Sequence, residues 1–232
     1  MGNLFQTPTR QDRTYGPGGQ LKEANGTRYR YDALGNLVRK QAADGQTWHY
    51  QWNGAGQLAS VLRPDGYTVS FGYDALGRRL SKRFRGKVTH WVWDSHKPLH
   101  EWTELELGPE AGGADTLITW LFEEHNFAPV ARLAGAQRES ILTDHLGTPL
   151  ELVDGQGLRT WRAALNSYGG VRTLEGTRTG CPFRYQGQYE AAETGLYYNR
   201  FRYYDPHAGQ YLSQDPIGLM GGWSRMPTYP TR

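Results

Sequence analysis

Two Asp-Pro pairs near the C-terminal end, Asp205-Pro206 and Asp215-Pro216, are the first residues whose type and spacing suggest chemistry. Proteolysis by carboxylates needs two of them sharing a proton, one acting as base and the other as acid. The competing reading is structural: Asp caps a loop through its side chain while Pro fixes φ, so both pairs serve as turns. The other chemistries lack their residues. His96 and His100 stand four apart, but Pro98 between them forbids the helix that would bring them together. With the single Cys181 and no His-x-His pair, no metal site is expected. No Gly-x-Ser-x-Gly elbow and no Gly-x-x-x-x-Gly-Lys loop is present, so neither a serine hydrolase nor a nucleotide binder is expected, and no cofactor.

A second candidate is the run Tyr197-Tyr198-Asn199-Arg200-Phe201-Arg202-Tyr203-Tyr204, whose rings and guanidinium groups suit stacking on sugars or single-stranded nucleic acid. As one strand it would place Tyr197, Asn199, Phe201 and Tyr203 on one face and Tyr198, Arg200, Arg202 and Tyr204 on the other. A strand with a ring face and a cationic face is read as half-buried sheet. Arg200 and Arg202 are then expected to pair with Glu190 or Glu193. An aromatic-lined carbohydrate-binding module stays open as the alternative.

The elements that must position these residues are short strands. Among 232 residues are 30 Gly, 15 Tyr and 8 Trp, with hydrophobic residues at 38%. That mixture fits many tight turns and rings in place of an aliphatic core, and there are too many aromatics for disorder. A net charge of +3, scattered along the chain, gives little pull on nucleic acid or membranes. One cysteine excludes an intrachain disulfide. Met1 to Arg10 has no apolar core, so no secretory signal peptide is expected, and no apolar run approaches a membrane span. A cytoplasmic location before any export is the expectation.

Two glycine series keep one period. Tyr31, Trp52 and Tyr73 each stand four residues before Gly35, Gly56 and Gly77, spaced 21 and 21, with a weaker copy at Tyr15 and Gly19. Asp32, Asn53 and Asp74 follow the aromatics; Leu37 and Leu58 stand two past the glycines, with Leu80 displaced by one. The second series, Asn25-Gly26, Asp44-Gly45, Asp65-Gly66 and Arg85-Gly86, is spaced 19, 21 and 20. The first series fits an Asp-x-x-Gly type I turn closed by a left-handed glycine, and the second a tighter two-residue turn. Strands of five to eight residues lie between, as in Trp48-His49-Tyr50-Gln51-Trp52, whose rings share one face. The expected fold is all-β, a continuous meander of hairpins. Beyond residue 90 the pattern loosens. Asp144-His145-Leu146-Gly147 repeats the turn, and Asp154-Gly155 follows as Asp44-Gly45 follows Asp32. Glu106 to Asp115 reads as an inserted loop and hinge, Ala163 to Gly180 as loop or weak strand, and Glu190 to Thr194 as one helical turn at most.

Tyr29-Arg30-Tyr31-Asp32-Ala33-Leu34-Gly35-Asn36-Leu37 and Phe71-Gly72-Tyr73-Asp74-Ala75-Leu76-Gly77-Arg78 resemble the YD repeat of Rhs proteins and related toxins. Asp144 to Pro149 is similar to the opening of the Rhs repeat-associated core. The signature Tyr197, Tyr198, Arg200, Tyr203, Tyr204, Asp205, Pro206, Asp215, Pro216 and Gly218 is similar to the remainder of that core. The resemblance covers roughly residues 15 to 222. It implies part of a spiral β-sheet wound into a hollow cocoon around a C-terminal toxin, with an aspartyl motif that releases the toxin. It also implies delivery by type VI or other contact-dependent secretion. The partners implied are other shell segments, a toxin domain, an immunity protein and secretion spike proteins.

In that family the text runs on past Asp215-Pro216-Ile217-Gly218 to a second Asp-Pro-x-Gly and then the toxin, whereas here it diverges after Gly222. Asp215 is thus expected to be half of a carboxylate pair without its partner, with Asp205 the only nearby substitute. The expectation is a shell fragment without an effector, divided into a lead-in (1–14), YD repeats (15–90), repeat-associated core (91–222) and divergent tail (223–232). Cut from its neighbours, such a sheet exposes strand edges, so self-association is expected.

Overall fold

The computed structural model describes residues 3–106 and 115–215. The first eight strands are β1 (Arg13–Tyr15), β2 (Leu21–Ala24), β3 (Thr27–Tyr31), β4 (Leu37–Gln41), β5 (Thr47–Trp52), β6 (Leu58–Leu62), β7 (Thr68–Tyr73) and β8 (Arg79–Phe84). Eight more follow: β9 (Lys87–Asp94), β10 (Lys97–Leu105), β11 (Ile118–Phe122), β12 (Pro129–Ala134), β13 (Gln137–Thr143), β14 (Pro149–Asp154), β15 (Arg159–Leu165) and β16 (Val171–Glu175). These sixteen form one antiparallel sheet in strict chain order, the expected meander. A second, four-stranded sheet holds β17 (Tyr189–Ala191), β18 (Leu196–Asn199), β19 (Arg202–Asp205) and β20 (Gln210–Tyr211).

The turn chemistry explains the meander. Asp32 Oδ1 accepts from the amides of Leu34 and Asn36 at 2.9 and 2.8 Å, and the Gly35 amide closes the turn onto the Asp32 carbonyl at 3.1 Å. Asn53 with Gly56, Asp74 with Gly77, and Asp144 with Gly147 repeat this arrangement. The carboxylate or amide oxygen thus satisfies two backbone donors that the turn leaves free.

The second glycine series differs from expectation. Gly45 closes onto Ala42 and Gly66 onto Arg63, so these are turns of the first kind with Asp in the third position. Asp44 and Asp65 each accept from the amide two residues on, at 3.0 and 3.2 Å. An Asp-Gly pair fits either turn, since both end on a left-handed glycine and Asp tolerates the positive φ that the two-residue turn also asks of the residue before it. Asn25-Gly26 and Arg85-Gly86 are the two-residue turns, with Asn25 and Arg85 also at positive φ. Likewise Asp154 closes with Gly157 rather than Gly155.

Three further segments depart from expectation. Ala163 to Gly180 contains the end of β15 and all of β16, joined by an Asn166-to-Gly169 turn in which Asn166 Oδ1 accepts from Tyr168 and Gly170. Glu190 lies in a strand, because Tyr189, Glu190 and Ala191 pair with Tyr198, Tyr197 and Leu196, and the single turn expected there falls just beyond, where the Gly195 amide closes onto the Ala191 carbonyl at 2.9 Å. Leu80 does not replace Leu37 and Leu58. A bulge between Gly72 and Tyr73 leaves Leu80 on the outer face, 40% exposed, and turns Arg79 inward.

Consecutive repeats are stitched by the aromatic that precedes each turn. Trp52 Nε1 donates to the Leu37 carbonyl at 2.8 Å, the Tyr73 hydroxyl to Leu58 at 2.7 Å, and Trp93 Nε1 to Arg79 at 2.8 Å. Leu58, Val61, Val69, Phe71, Trp91, Trp120 and Leu152 line the buried face. Each such side chain withdrawn from water contributes about 1.5–3 kcal/mol. The sheet curls enough to bring the Arg13 guanidinium of β1 within 5.5 Å of the ring of Tyr168 in the turn after β15, while β1 and β16 remain unpaired with each other. The small sheet sits against the concave side of this band.

Candidate functional site

The site that gathers the signature residues is the seam between the small sheet and the band. Alternate turns of a meander lie on one rim, and the turns at Asp32, Asn53, Asp74, Asp144 and Asn166 share one. The hydroxyls of four signature tyrosines hold the small sheet to the band. Tyr197 donates to the Gly169 carbonyl at 2.9 Å, Tyr204 to Tyr168 at 3.0 Å and Tyr198 to Gly77 at 3.1 Å. Tyr198 also accepts from the Arg79 amide at 2.9 Å, and Tyr203 shares a 3.0 Å hydrogen bond with Tyr73. Burial pushes all four hydroxyls above their ordinary ionisation range. They stay protonated and able to donate.

This geometry corrects the face assignment made from the sequence. The run is two strands joined at Arg200 and Phe201, with Arg200 at φ 52°. Tyr197 therefore faces Tyr204, and Tyr198 faces Tyr203. Leu196, Tyr197, Tyr198, Tyr203 and Tyr204 are all buried, because the band covers one face of the sheet and the rim and terminal turns the other. The expected acid partners are corrected too. Arg202 pairs with Asp215 at 3.2 Å, Glu190 with Arg184 and Arg178, and Glu193 with Lys82 at 2.7 Å. The Arg200 guanidinium lies 4.6 Å from the Phe201 ring.

Charges interlock across the seam. Lys40 on β4 reaches Asp205 at 2.7 Å, and Lys82 on β8 reaches Glu193. Arg13 Nη1 donates to the Ala208 carbonyl at 2.6 Å. Glu101, buried on β10, accepts from Trp91 Nε1 at 3.0 Å and from the Tyr189 hydroxyl at 2.6 Å. Arg79, 1% exposed, lies among rings, 4.1 Å from Trp91, 4.6 Å from Tyr198 and 5.0 Å from Tyr189. Its Nε and Nη1 have no hydrogen-bond partner among the described residues, so the ring faces carry much of its charge.

Asp205 and Asp215 each pair with a cation, Lys40 and Arg202. Asp205 is buried and accepts from the His207 and Ala208 amides at 2.8 and 3.2 Å. Burial is the largest single influence and works against its charge, but the Lys40 ammonium, His207 and the Ala208 amide together hold the carboxyl below its ordinary range. A carboxylate so committed is poorly suited to share a proton with a second one. The Gly209 amide closes the Asp205-Pro206 turn onto the Asp205 carbonyl at 2.8 Å. Asp215 is the last described residue of its motif; Pro216, Gly218 and the divergent tail lie outside the described residues.

Sequence reasoning missed Arg79, Lys40, Lys82 and Glu101. Arg79 had a signal, since it stands two past Gly77 where Leu37 and Leu58 stand past their glycines. Lys40 and Lys82 lie three residues beyond Leu37 and Arg79, the next inward position after each bulge. Cys181 is buried, its thiol pushed up to about 12, and is no nucleophile at neutral pH. His100 Nδ1 lies 2.9 Å from the Thr119 hydroxyl, a purely local contact.

Comparison with known proteins agrees with this architecture. The chain is 37% identical to the toxin protein Tse5 of Pseudomonas aeruginosa over 88% of its own length and 18% of that protein's. It is 31% identical to the double-stranded DNA deaminase toxin A of Burkholderia cenocepacia, covering 95% of this chain and 17% of that one. The chain thus spans less than a fifth of these relatives. Among solved structures, TcdB2-TccC3 superposes with a TM-score of 0.62 at 19% identity, covering 86% of this chain and 13% of that chain. The Teneurin YD-shell profile matches residues 2–228. A band of phased YD turns, a small sheet held to its rim by signature tyrosines and a match over nearly the whole chain agree: this protein belongs to the Teneurin YD-shell family, together with the Rhs toxin proteins.

Proposed function

We propose that this chain is a non-catalytic segment of an Rhs toxin shell, in which the curled band is wall and the small sheet closes one end of it. The observation that carries this reading is the use of the signature tyrosine hydroxyls: each meets a band backbone group or band hydroxyl, as fastening requires. The core signature residues Tyr197, Tyr198, Tyr203, Tyr204 and Asp205 are then closure residues, and Asp32, Asn53, Asp74 and Asp144 with their glycines set the rim. In this reading the YD repeats (15–90) and the repeat-associated core (91–222) are successive parts of one shell wall, with the lead-in (1–14) and tail (223–232) outside them. The partners of this reading are further shell segments along the free edges of β1 and β16, and a toxin domain enclosed by the completed shell. An immunity protein and spike proteins belong to the same proposal, as does type VI delivery.

Incubation of the purified chain with intact-mass measurement tests the non-catalytic reading. A stable full-length mass is expected. Loss of a C-terminal fragment, abolished by Asp215→Asn, would overturn it in favour of residual self-processing. Sedimentation velocity tests the open edges: concentration-dependent association is expected, whereas a sharp monomer at every concentration would count against them.

A further inference from the structure

Asparagine followed by glycine is the dipeptide in which the main chain most readily attacks its own side chain, because no Cβ hinders the glycine nitrogen. The chain holds two such pairs, Asn25-Gly26 and Asn53-Gly54, both exposed and both in turns between strands. By sequence they are equivalent. The structure separates them.

Asn53 opens a turn that its own side chain holds shut. Its Oδ1 accepts from the Ala55 and Gln57 amides at 3.0 and 2.9 Å, and its Nδ2 donates to Gln57 Oε1 at 2.9 Å. The carboxamide is thus fixed at both ends, and swinging Cγ towards the Gly54 nitrogen sacrifices these bonds. The flanking strands β5 and β6 pair through four residues each and lie inside the long sheet.

Asn25 differs on each count. Among the described residues its side chain makes one hydrogen bond, from Nδ2 to Gln6 Oε1 at 3.1 Å in an exposed position. Its amide meets the Asp12 carbonyl at 3.1 Å, which leaves Cγ unrestrained. The residue sits at φ 48° in its two-residue turn, a conformation that costs free energy when a Cβ is present, so leaving it relieves strain. The strands it joins, β2 and β3, pair only through Glu23 with Arg28 and Ala24 with Thr27, and β2 has only the edge strand β1 on its other side. Short ladders near a sheet edge open more readily than interior ones.

We infer that Asn25 is a site of spontaneous modification, converting to aspartate and isoaspartate through a succinimide, while Asn53 is protected. The Gly26 nitrogen gives up its proton and attacks Asn25 Cγ. A bond forms between that nitrogen and Cγ, the Cγ–Nδ2 bond breaks, and Nδ2 takes up a proton and leaves as ammonia. Water then opens the ring. Entry at Cγ gives aspartate; entry at the Asn25 main-chain carbonyl carbon gives isoaspartate, whose main chain runs through Cβ and Cγ. Nothing is oxidised or reduced, and water is the only co-reactant. Either product replaces the donor to Gln6 with a carboxylate, and isoaspartate adds a methylene to the turn beside the β1 edge. The inference stands on turn geometry and does not depend on the shell reading.

Incubation of the full chain at mildly alkaline pH, folded and in denaturant, tests this. Peptide mapping by mass spectrometry with electron-transfer fragmentation follows both asparagines and distinguishes isoaspartate from aspartate. In denaturant the two should convert at closely similar rates. In the folded chain Asn25 should convert at least about tenfold faster than Asn53, since only Asn53 must first give up its side-chain bonds. Equal conversion of the two in the folded chain would overturn the inference. So would faster conversion of Asn53, or an Asn25 that stays intact while the denatured chain converts. Exchange of an amide for an acid removes no fragment, so the intact-mass outcome for the shell reading fails or stands separately.

Discussion

The repeats β3 to β8 and the small sheet β17 to β20 are both antiparallel, yet they are held by different forces. In the repeats the polar contacts that shape the strip itself are local: turn carboxylates cap their own amides, and the stitching bonds of Trp52 and Tyr73 reach back 15 residues. Outward positions stay wet, and the turn leucines Leu34 and Leu76 are 75% and 61% exposed. In the small sheet the contacts that hold it to the band reach 28 to 195 residues along the chain, and charges are buried with their partners. A strip built on local contacts tolerates loss of any one of them. A sheet of four short strands depends on every long-range contact, because so small a sheet is not stable in water alone.

Substitutions in matched positions can break or sharpen this contrast. The largest effect is expected for Glu190→Ala, which leaves Arg184, 1% exposed, as a buried cation without its carboxylate. A loss of about 3–5 kcal/mol by denaturant unfolding is expected. Asp65→Ala removes the partner of Arg63 at the wet end of a repeat and should cost no more than about 1 kcal/mol. Equal costs would erase the contrast.

Tyr198→Phe removes the donor to Gly77 and the acceptor for the Arg79 amide, and should cost about 1–3 kcal/mol. Tyr67→Phe, at a 48% exposed ring in a repeat, should fall within about 0.5 kcal/mol of wild type in the same assay.

Glycine substitutions separate free turns from docked ones. Gly45 has φ 87° and open space beyond it, so Gly45→Ala should cost only the left-handed backbone penalty, about 1–2 kcal/mol. Gly35 has φ 83°, but a Cβ there would stand 2.6 Å from the Gln214 side chain. Gly35→Ala should therefore cost more than Gly45→Ala, and a hydrogen-exchange comparison should show extra opening near β20.

The smallest effect at neutral pH comes from titration. Asp205 has its carboxyl lowered in the folded chain, so its pairing with Lys40 is fully stabilising above the ordinary carboxylate value of 3.8. The stabilisation is lost as pH falls from there through the lower folded value. Unfolding midpoints should decline over that range, and Asp205→Asn should flatten the decline. An unchanged slope would show that the Lys40 contact carries no pH-linked stability.

The repeat region was legible because its information is local. A glycine four residues past an aromatic, with Asp or Asn between, specifies a turn whatever lies far away, and the alternation in Trp48 to Trp52 specifies which face is buried. The limits have the same origin. Asp-Gly at 44–45 suits two turns, and the choice between them depends on which residues of β4 and β5 pair. Leu80 reads as a shifted leucine until the bulge against β7 turns Arg79 inward. The Tyr197-to-Tyr204 run alternates perfectly as one strand, and nothing nearby announces a turn at Arg200, a residue that rarely takes positive φ.

By itself the sequence determined an all-β meander, the period and hand of its rim turns, and the family to which it belongs, because each rests on contacts within about twenty residues. Only the tertiary structure decided what the signature residues do. Tyr198, Asp205 and Glu193 find Gly77, Lys40 and Lys82 only after the band has curled and the small sheet has packed against it. Burial then makes each of those contacts costly to lose, since an unpaired hydroxyl or charge in that seam has no water to replace its partner.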